Sequence, residues 1–284
     1  MRIRIWGCRG SIPTPGGATL RYGGNTTCLE IRSSRGQIVV VDAGSGIRNL
    51  GIFLSRETDP SRARFFFTHS HWDHLAGFPF FQPAYSASST ISLCSGPHGQ
   101  DFIRRCLTHQ MEAPFFPVDF GLLKAHFVFR CERPHMEPGN CRLDGLEVSP
   151  VPLSHPNGGF GYKFIEDGKT FAFLTDNELG FRHEGGLGRE QYEEFCRGAE
   201  WLLHDAQYTE EEYKLTRGWG HSTFSDATDL AIAAGVRRLG IIHHDPNRTD
   251  DDLDRQVEFC RERIRQAGSA VECVAIAEGM VLEV

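Results

Sequence analysis

Residues 65–74 read FFFTHSHWDH, and in them an apolar run is followed directly by four potential metal ligands, His69, His71, Asp73 and His74. Imidazole and carboxylate groups together suit zinc, iron or manganese. Alternate residues of an extended segment point the same way. A strand that ends here would therefore place His69 and His71 together at the edge of a sheet. One further turn of chain would bring Asp73 and His74 to a second centre. The pattern predicts a metal site.

The composition is typical of a soluble globular enzyme. Of the 284 residues, 40% are hydrophobic and 24% are charged, and a chain of this length can bury a substantial core. No run approaches the roughly 18 apolar residues that cross a bilayer. Residues 1–6 alternate like a strand and lack a signal-peptide pattern. We therefore expect no membrane association.

The cysteines bear on the cellular compartment of the protein, and the net charge bears on whether it binds nucleic acid. Nine cysteines are scattered without a C-x-x-C pair, which favours reduced thiols and a cytoplasmic location. The formal net charge of -7 argues against a large nucleic-acid footprint, because binding to phosphate backbones depends on clustered lysine and arginine.

Strands dominate the first part of the chain and helices become clearer towards its end. Apolar or alternating runs predict strands at residues 2–6, 27–32, 37–41, 62–68, 90–94, 125–130, 146–153, 162–165, 170–175 and 201–204. Helices are predicted directly after Gly46, over residues 227–234 before Gly235, and from near Asp250 to Gly268. Strands in two batches, each followed by helices, predict an α/β sandwich of sheets flanked by helices.

Three further apolar runs end in a residue that can bind a metal. Residues 146–153 lead to His155, residues 170–175 lead to Asp176, and residues 238–242 lead to His243 and His244. Each of these side chains alone could be a simple turn residue. Their repeated placement at a strand end, the same context as His69, favours ligands that converge on one edge.

With these motifs in place, the sequence resembles the metallo-β-lactamase fold superfamily over nearly its whole length. Residues 69–74 match the motif H-x-H-x-D-H, and the single strand-end ligands follow it. The resemblance implies a four-layer αββα sandwich, in which two mixed β-sheets are flanked by helices, as a single domain of residues 1–284. Residues 77–145, which the metal motifs do not use, are expected to form a lid or an insertion within it.

The resemblance also implies two divalent metal ions, with zinc as the first expectation and manganese or iron as alternatives. The implied ligands are, for one ion, His69, His71 and His155; for the other, Asp73, His74 and His243; and, bridging both, Asp176. The sequence leaves open whether His243 or His244 is the ligand. Asp42, in the segment VVDAG at residues 40–44, resembles the structural aspartate that the family places beside the site.

The segment GHST at residues 220–223 resembles the phosphodiesterase branch of the superfamily, which includes the transfer-RNA 3′-processing endonuclease. In that branch a histidine over the scissile phosphate is oriented by an upstream acid. The resemblance implies that His221 is catalytic and that Asp205, in the stretch HDA at residues 204–206, orients it. Asp205 stands where the branch has a glutamate. Ser222 and Thr223 are expected to contact the substrate.

One departure from that branch bears on the substrate. The chain has no long inserted arm rich in glycine, proline and basic residues of the kind that grips transfer RNA. Small phosphodiesters such as cyclic nucleotides are therefore the expected substrates, and a large nucleic acid is not expected. Residues 113–120, APFFPVDF, would form an aromatic lid able to stack a base, or else simply pack in the core. Homodimers are common in the family.

The expected mechanism is attack by a hydroxide that bridges two metal ions roughly 3.5–4 Å apart. His221 would donate a hydrogen bond or a proton to the leaving oxygen. Asp73 would hold its metal and accept a proton from the attacking water. Three alternatives stay open. The first is a lactone or thioester hydrolase, which the ligands alone do not exclude, and the second is a transfer-RNA 3′-end endonuclease. The third is a ligand-binding sensor with a degenerate site, which the complete ligand set disfavours.

Overall fold

The computed structural model describes residues 1–57, 62–94, 100–129 and 141–284. Arg130, the last residue of one expected strand, lies outside these ranges, as do parts of the expected lid segment. Within the described residues, none of the helices has both the length and the hydropathy that crossing a bilayer requires.

Two seven-stranded sheets form the centre of the described chain. The strands are β1 (Arg2–Gly7), β2 (Cys28–Arg32), β3 (Ile38–Val41), β4 (Arg62–Phe66), β5 (Thr90–Cys94), β6 (His126–Val128), β7 (Cys141–Leu143), β8 (Leu146–Pro152), β9 (Phe160–Glu166), β10 (Lys169–Leu174), β11 (Trp201–Asp205), β12 (Arg238–Ile242), β13 (Glu272–Ala275) and β14 (Val281–Glu283). The first sheet has the order β14-β1-β2-β3-β4-β5-β6, and the second has the order β13-β12-β11-β10-β9-β8-β7.

Both sheets are mixed. In the first sheet, β14, β1, β2 and β3 pair antiparallel, whereas β3 to β6 are parallel. In the second sheet, β7 to β10 pair antiparallel, whereas β10 to β13 are parallel. Short connections join the antiparallel pairs β2–β3, β7–β8, β8–β9 and β9–β10, and each parallel pair needs a longer crossover connection.

Helices cover the outer face of each sheet. They are α1 (Ile47–Leu54), α2 (Trp72–Leu75), α3 (Gln100–Gln110), α4 (Arg189–Cys196), α5 (Glu210–Thr216), α6 (Phe224–Ala234) and α7 (Asp250–Gln266). One buried cluster joins the two sheets, a second joins β11 and β12 to α4, α6 and α7, and a third joins β4 and β5 to α1 and α3. Three cores between four layers confirm the expected αββα sandwich.

The segment at residues 77–145 is partly built into this sandwich. Its strands β5 and β6 extend the first sheet, and Leu107 and Met111 are fully buried in the third core. Phe120 packs on Phe78 and Phe127, with ring centroids 6.2 and 5.0 Å apart. Phe115, in contrast, is 62% exposed. Some aromatic residues of the segment therefore pack against the core and others are exposed, and an aromatic lid that stacks a base stays a prediction.

The strand directions bring the carboxyl ends of β3, β4, β8, β10, β11 and β12 to one edge of the sandwich. Asp42 follows β3, residues 68–74 follow β4, and His155 follows β8. On the second sheet, Asp176 follows β10 and His243 follows β12. Residues far apart in sequence therefore meet where the two sheets present the same edge, as is general for ligand sites in α/β folds.

A fully buried arginine ties the amino-terminal segment to this edge. The Arg9 guanidinium donates hydrogen bonds to the carbonyl oxygens of Gly23 at 2.9 Å, Asp245 at 3.2 Å and Arg248 at 2.9 Å. We expect Arg9→Met to lower the free energy of unfolding by about 2–4 kcal/mol, because it removes the hydrogen bonds that the buried guanidinium donates to three carbonyl oxygens. Urea denaturation measures the loss. The exposed Arg62→Met is the control, and an equal effect in both variants would contradict this role of Arg9.

Candidate metal centre

All seven predicted ligands lie in one cluster, together with His221. Ligand atoms lie within 4.8 Å of one another in each of four overlapping groups. The groups are His69, His71 and His155; His69, His74 and Asp176; Asp73, His74 and His243; and His155, Asp176 and His221. Apart from the half-buried His71, every member is buried.

Backbone geometry at three of the strand ends is unusual. Asp42, Asp176 and His243 have φ values of 61°, 56° and 60°. The left-handed region is unfavourable for residues with a Cβ atom, and such strain persists only where the surroundings enforce it. It turns each side chain back from its strand end towards the cluster. These three positions coincide with the edge where the sequence predicts ligands.

The first half of the cluster surrounds one oxygen of Asp176. Its Oδ2 lies 3.7 Å from Nε2 of His69 and 3.7 Å from Nε2 of His155. Nε2 of His155 is also 3.1 Å from Nδ1 of His71. Because Nδ1 of His155 donates to the carbonyl oxygen of Gly220 at 2.9 Å, its Nε2 carries the lone pair that faces the cluster.

The second half surrounds the other oxygen of the same carboxylate. Oδ1 of Asp176 lies 3.4 Å from Nε2 of His74 and 3.2 Å from Nε2 of His243. Oδ2 of Asp73 is 3.2 Å from the first of these nitrogens and 3.0 Å from the second. Asp176 therefore presents one carboxylate oxygen to each half of the cluster.

Three of the proposed ligands have the protonation states that metal binding needs. Burial lowers the pKa of His69 well below its usual range and that of His155 to about 4, so both imidazoles are neutral. Burial alone would raise the pKa of Asp176, but His243, His74 and His69 hold it well below its usual range. Neutral imidazoles and ionised carboxylates are the forms that bind cations.

The cluster also fits a cation on electrostatic grounds. Nε2 of His69 is buried and has no hydrogen-bond partner among the described residues. Nε2 of His74 and Nε2 of His243 lie only 3.2 Å apart. Although burial lowers the pKa of His74, the carboxylates of Asp73, Asp176 and Asp42 raise it well above its usual value. The site therefore favours positive charge at its centre, and its nitrogen and oxygen donors suit a divalent metal ion.

Asp42 contacts His74 on the side of the ring that faces away from the cluster. It is fully buried, and it accepts hydrogen bonds from the backbone N–H and the hydroxyl of Thr68, both at 2.8 Å. Its Oδ2 is also 2.8 Å from Nδ1 of His74, so Nε2 of that ring is left free to face the cluster. A carboxylate in this position fixes the ring tautomer and raises the basicity of the imidazole.

We expect Asp42→Asn to weaken metal binding by roughly 10–100-fold, because a neutral amide supports the His74 ring less well. Chelator competition measures the affinity. Asp144→Asn is a matched control, since Asp144 also has a positive φ but a 59% exposed side chain. Unchanged metal affinity in the Asp42 variant would contradict its supporting role.

His221 lies beside the cluster and faces Asp205, as expected. Its Nδ1 is 3.3 Å from Oδ2 of Asp205, and its ring centroid is 5.3 Å from that of His155 and 5.2 Å from that of His243. Asp205 is held by the backbone N–H groups of Asn177 and Ser222. Although burial lowers the pKa of His221, the nearby carboxylates of Asp205 and Asp176 raise it above its usual value.

The hydroxyls of Ser222 and Thr223, which are expected to contact the substrate, bond within the fold. The Ser222 hydroxyl is fully buried, donates to the carbonyl oxygen of Asn177 at 2.6 Å and accepts from the N–H of Leu179. The Thr223 hydroxyl caps α6 and accepts from the N–H of Asp226 at 3.0 Å. Their contacts with a substrate stay a prediction.

The structure also separates His243 from His244. Nε2 of His244 donates to the carbonyl oxygen of Ile276 at 2.8 Å, and its ring packs against Tyr22. Burial lowers the pKa of His244 to about 3. Only His243 points into the cluster, whereas His244 is a neutral core residue.

Two supporting residues lie outside the sequence prediction. Glu178 is buried and accepts from the N–H groups of Gly218 and Gly220, both at 2.7 Å, and thereby shapes the loop that leads into His221. The side-chain amide of Gln207 lies 2.7 Å from Nδ1 of His243. Glu178 stands two residues after Asp176 and Gln207 two after Asp205, and this proximity is the signal that could have identified them.

Comparison with known proteins identifies the family. The model of a family described as "Beta-lactamase superfamily domain" matches residues 37–244. Ribonuclease Z of Lacticaseibacillus casei strain BL23 is 25% identical over 264 residues, which cover 77% of this chain and 78% of that protein. The chain therefore has relatives of similar length that align along most of it.

Two solved structures share the fold. Human tRNase Z, short form, has a TM-score of 0.65 and 19% identity, covering 100% of this chain and 99% of that chain. Unliganded yeast PDE1 has a TM-score of 0.66 and 15% identity, again covering 100% and 99%. At such low identity these likenesses concern the fold alone. Together with the family match and the buried cluster, they lead to one conclusion: the chain belongs to the β-lactamase superfamily and is a metal-dependent hydrolase with the metallo-β-lactamase fold.

Proposed function

We propose that the protein hydrolyses phosphodiester bonds with two divalent metal ions, zinc being the first expectation. The observation that carries this proposal is the pair of His221 and Asp205 beside the ligand cluster, with 3.3 Å between Nδ1 and Oδ2. A phosphodiester expels an alkoxide, which needs a proton, and a histidine held by a carboxylate can supply one. A thioester expels a thiolate, which leaves without a proton, so the pair argues against a thioester hydrolase. A lactone also expels an alkoxide, and only kinetics separate it from a phosphodiester.

One ion would be held by His69, His71 and His155. The other would be held by Asp73, His74 and His243. The two oxygens of Asp176, which face opposite halves of the cluster, support its assignment as the bridge. When bound, divalent ions supply Lewis acidity and lower the pKa of bound water towards neutrality.

Two side chains carry out the two proton transfers of the proposed reaction, Asp73 as acceptor and His221 as donor. Asp73, whose Oδ2 also accepts from the N–H of Ser11 at 2.8 Å, is placed to take a proton from the attacking water. His221 donates a proton to the leaving oxygen on the opposite side of the phosphorus. Asp205 holds the proton of His221 on Nδ1 and so fixes the orientation of the ring.

Within the phosphodiesters, we propose small esters such as cyclic nucleotides as substrates. Relatives named Ribonuclease Z do not fit the expectation that a large nucleic acid is excluded. An RNA 3′-end endonuclease is therefore the second candidate function. The two candidates use the same chemistry and differ in what binds beyond the scissile phosphate.

Side-by-side kinetics of the metal-reconstituted protein test the proposal. We expect kcat/KM for bis(p-nitrophenyl) phosphate to exceed that for an acyl-homoserine lactone by at least about tenfold. The reverse preference would contradict a phosphodiesterase. A cyclic mononucleotide and a precursor transfer RNA with a 3′ trailer form a second pair, and the better substrate decides between the two candidates.

A further inference from the structure

Glu178 is a buried carboxylate beside the metal centre to which the proposed mechanism gives no role. Its side chain is fully shielded from solvent. Its Oε1 accepts hydrogen bonds from the hydroxyl of Tyr213 at 2.6 Å and from the N–H of Gly218 at 2.7 Å. Its Oε2 accepts from the N–H of Gly220 at 2.7 Å and lies 2.8 Å from Nε2 of His183. Two partners on each oxygen use the four lone-pair positions of a carboxylate, so none is left for a metal ion or a substrate.

The loop that Glu178 binds has little rigidity of its own. Gly218 and Gly220 have φ values of 90° and 96°, and glycine moves between this left-handed region and the rest of the backbone map at little cost. Trp219 between them is 63% exposed, so its ring is not buried against the fold. Because Glu178 accepts from the N–H groups of both glycines, it restrains the loop at two points.

Gly220 lies between a proposed ligand and the proposed proton donor. Its carbonyl oxygen accepts from Nδ1 of His155 at 2.9 Å, and the same carbonyl group belongs to the peptide bond that leads into His221. A Cβ atom at this position would lie 2.1 Å from Nδ1 of His155, so the backbone and the imidazole are in close contact. A shift of the Gly220 peptide group would therefore reach both histidines.

The two histidines differ in what else holds them. In the metal-loaded protein, His155 is also expected to be held by its ion. His221 is no proposed ligand, and its Nδ1 lies 3.3 Å from Oδ2 of Asp205. On its carboxyl side, the N–H of Ser222 donates to that same oxygen at 3.1 Å, and on its amino side the restraint comes from Glu178. Loss of this restraint should therefore displace His221 more than His155.

We propose that Glu178 is a positioning residue, which acts through the peptide group of Gly220 to hold the His221 ring at the leaving oxygen. The inference rests on the proposed function, because it takes His221 as the proton donor. The main alternative is a role in stability alone. In that case replacing Glu178 would lower the yield of folded protein, but its effect on turnover would not depend on His221.

A double-mutant cycle separates the two roles. Glu178→Gln keeps the size of the side chain but places an NH₂ donor where a carboxylate oxygen accepts two hydrogen bonds. In the metal-reconstituted protein, we expect this variant to keep its metal ions. We also expect it to lose about 10–100-fold in kcat for adenosine 3′,5′-cyclic monophosphate, which expels an alkoxide, with KM changed by less than about threefold.

In a His221→Ala background, the same substitution should lower kcat by less than about threefold, because the group that it positions is absent. With bis(p-nitrophenyl) phosphate, whose leaving group needs no proton, Glu178→Gln should also lose less activity than with the cyclic nucleotide. Glu211→Gln makes the same chemical change at a side chain that is 82% exposed on α5, and it should leave kcat and KM unchanged.

A crystal structure of the metal-loaded Glu178→Gln protein gives a readout that does not depend on turnover. We expect residues 218–221 to shift and the distance between Nδ1 of His221 and Oδ2 of Asp205 to exceed about 4 Å, beyond the reach of a hydrogen bond. If Glu178→Gln does not fold, Glu178→Asp, which keeps the charge but shortens the side chain, takes its place in the cycle and in the crystals with the same expected direction.

Losses that multiply in the double variant, an equal loss with both substrates, or an unshifted loop would each overturn the inference. Failure of the proposed function gives a different result, namely wild-type protein that turns over an acyl-homoserine lactone and neither phosphodiester. A lactone also expels an alkoxide, so the same cycle with the lactone then decides the role of Glu178. If wild-type protein turns over none of the three, the position of His221 in the variant crystals decides it.

Discussion

Replacement of Asp176 by alanine is expected to strip metal from the protein and to lower kcat/KM for a phosphodiester by at least about a thousandfold. The carboxylate is buried, and its oxygens face His69 and His155 on one side and His74 and His243 on the other. Its loss removes a ligand from both halves of the centre at once.

Elemental analysis of the purified Asp176→Ala protein gives the metal content per chain, which we expect to fall by one ion or more. Asp251→Ala, which changes an aspartate whose side chain is 81% exposed, controls for a general effect of charge. Full occupancy in the Asp176 variant would refute the bridging role, whatever its activity.

His221→Ala is expected to keep its metal ions and to lose about 10²–10⁴-fold in phosphodiester turnover. The ring lies beside the cluster, and its Nδ1 is 3.3 Å from Oδ2 of Asp205. Its removal therefore takes away the proposed proton donor but no proposed ligand. The loss should depend on the leaving group. A p-nitrophenolate leaves without a proton, so the defect should be smaller with that ester than with an alkyl ester of the same phosphate.

Kinetics with both esters and metal analysis of the same preparation measure the effect of His221→Ala. His126→Ala, at an exposed position of β6, serves as the control. Equal turnover of the alkyl ester by wild-type protein and by the His221 variant would remove this residue from the mechanism. An equal loss with both esters would assign it to substrate binding and not to proton donation.

The central elements of the fold were predictable because their hydrophobic pattern is strong. The predicted strands from Arg2, Thr90 and Leu146 begin where β1, β5 and β8 begin. The predicted stop at Gly235 is confirmed by its left-handed conformation, with φ 60°. The short strands β7, β13 and β14 were not predicted, since strands of three or four residues depend on pairing and not on their own propensity.

The site was predictable to the extent that its residues form local patterns. The motif at residues 69–74 concentrates four candidate ligands, and His155, Asp176 and His243 share one context at strand ends. The sequence could not choose between His243 and His244, because that choice rests on the left-handed backbone at His243. Glu178 was not predicted because the backbone N–H groups that it binds lie some 40 residues away, and its closeness to Asp176 in the sequence was the one signal for it.

The expected roles of Ser222 and Thr223 rested on their position next to His221. Thr223 is the N-cap residue of α6, and its hydroxyl accepts from the N–H of Asp226. The Ser222 hydroxyl donates instead to the carbonyl oxygen of Asn177. Their position next to His221 in the sequence indicates neither bond.

Anomalous diffraction from crystals grown with zinc or manganese tests the central claim most directly. We expect two ion peaks roughly 3.5–4 Å apart, with Asp176 between them. One peak should lie among His69, His71 and His155, and the other among Asp73, His74 and His243. Crystals without ion density among these side chains, or with one ion that does not touch Asp176, would contradict it.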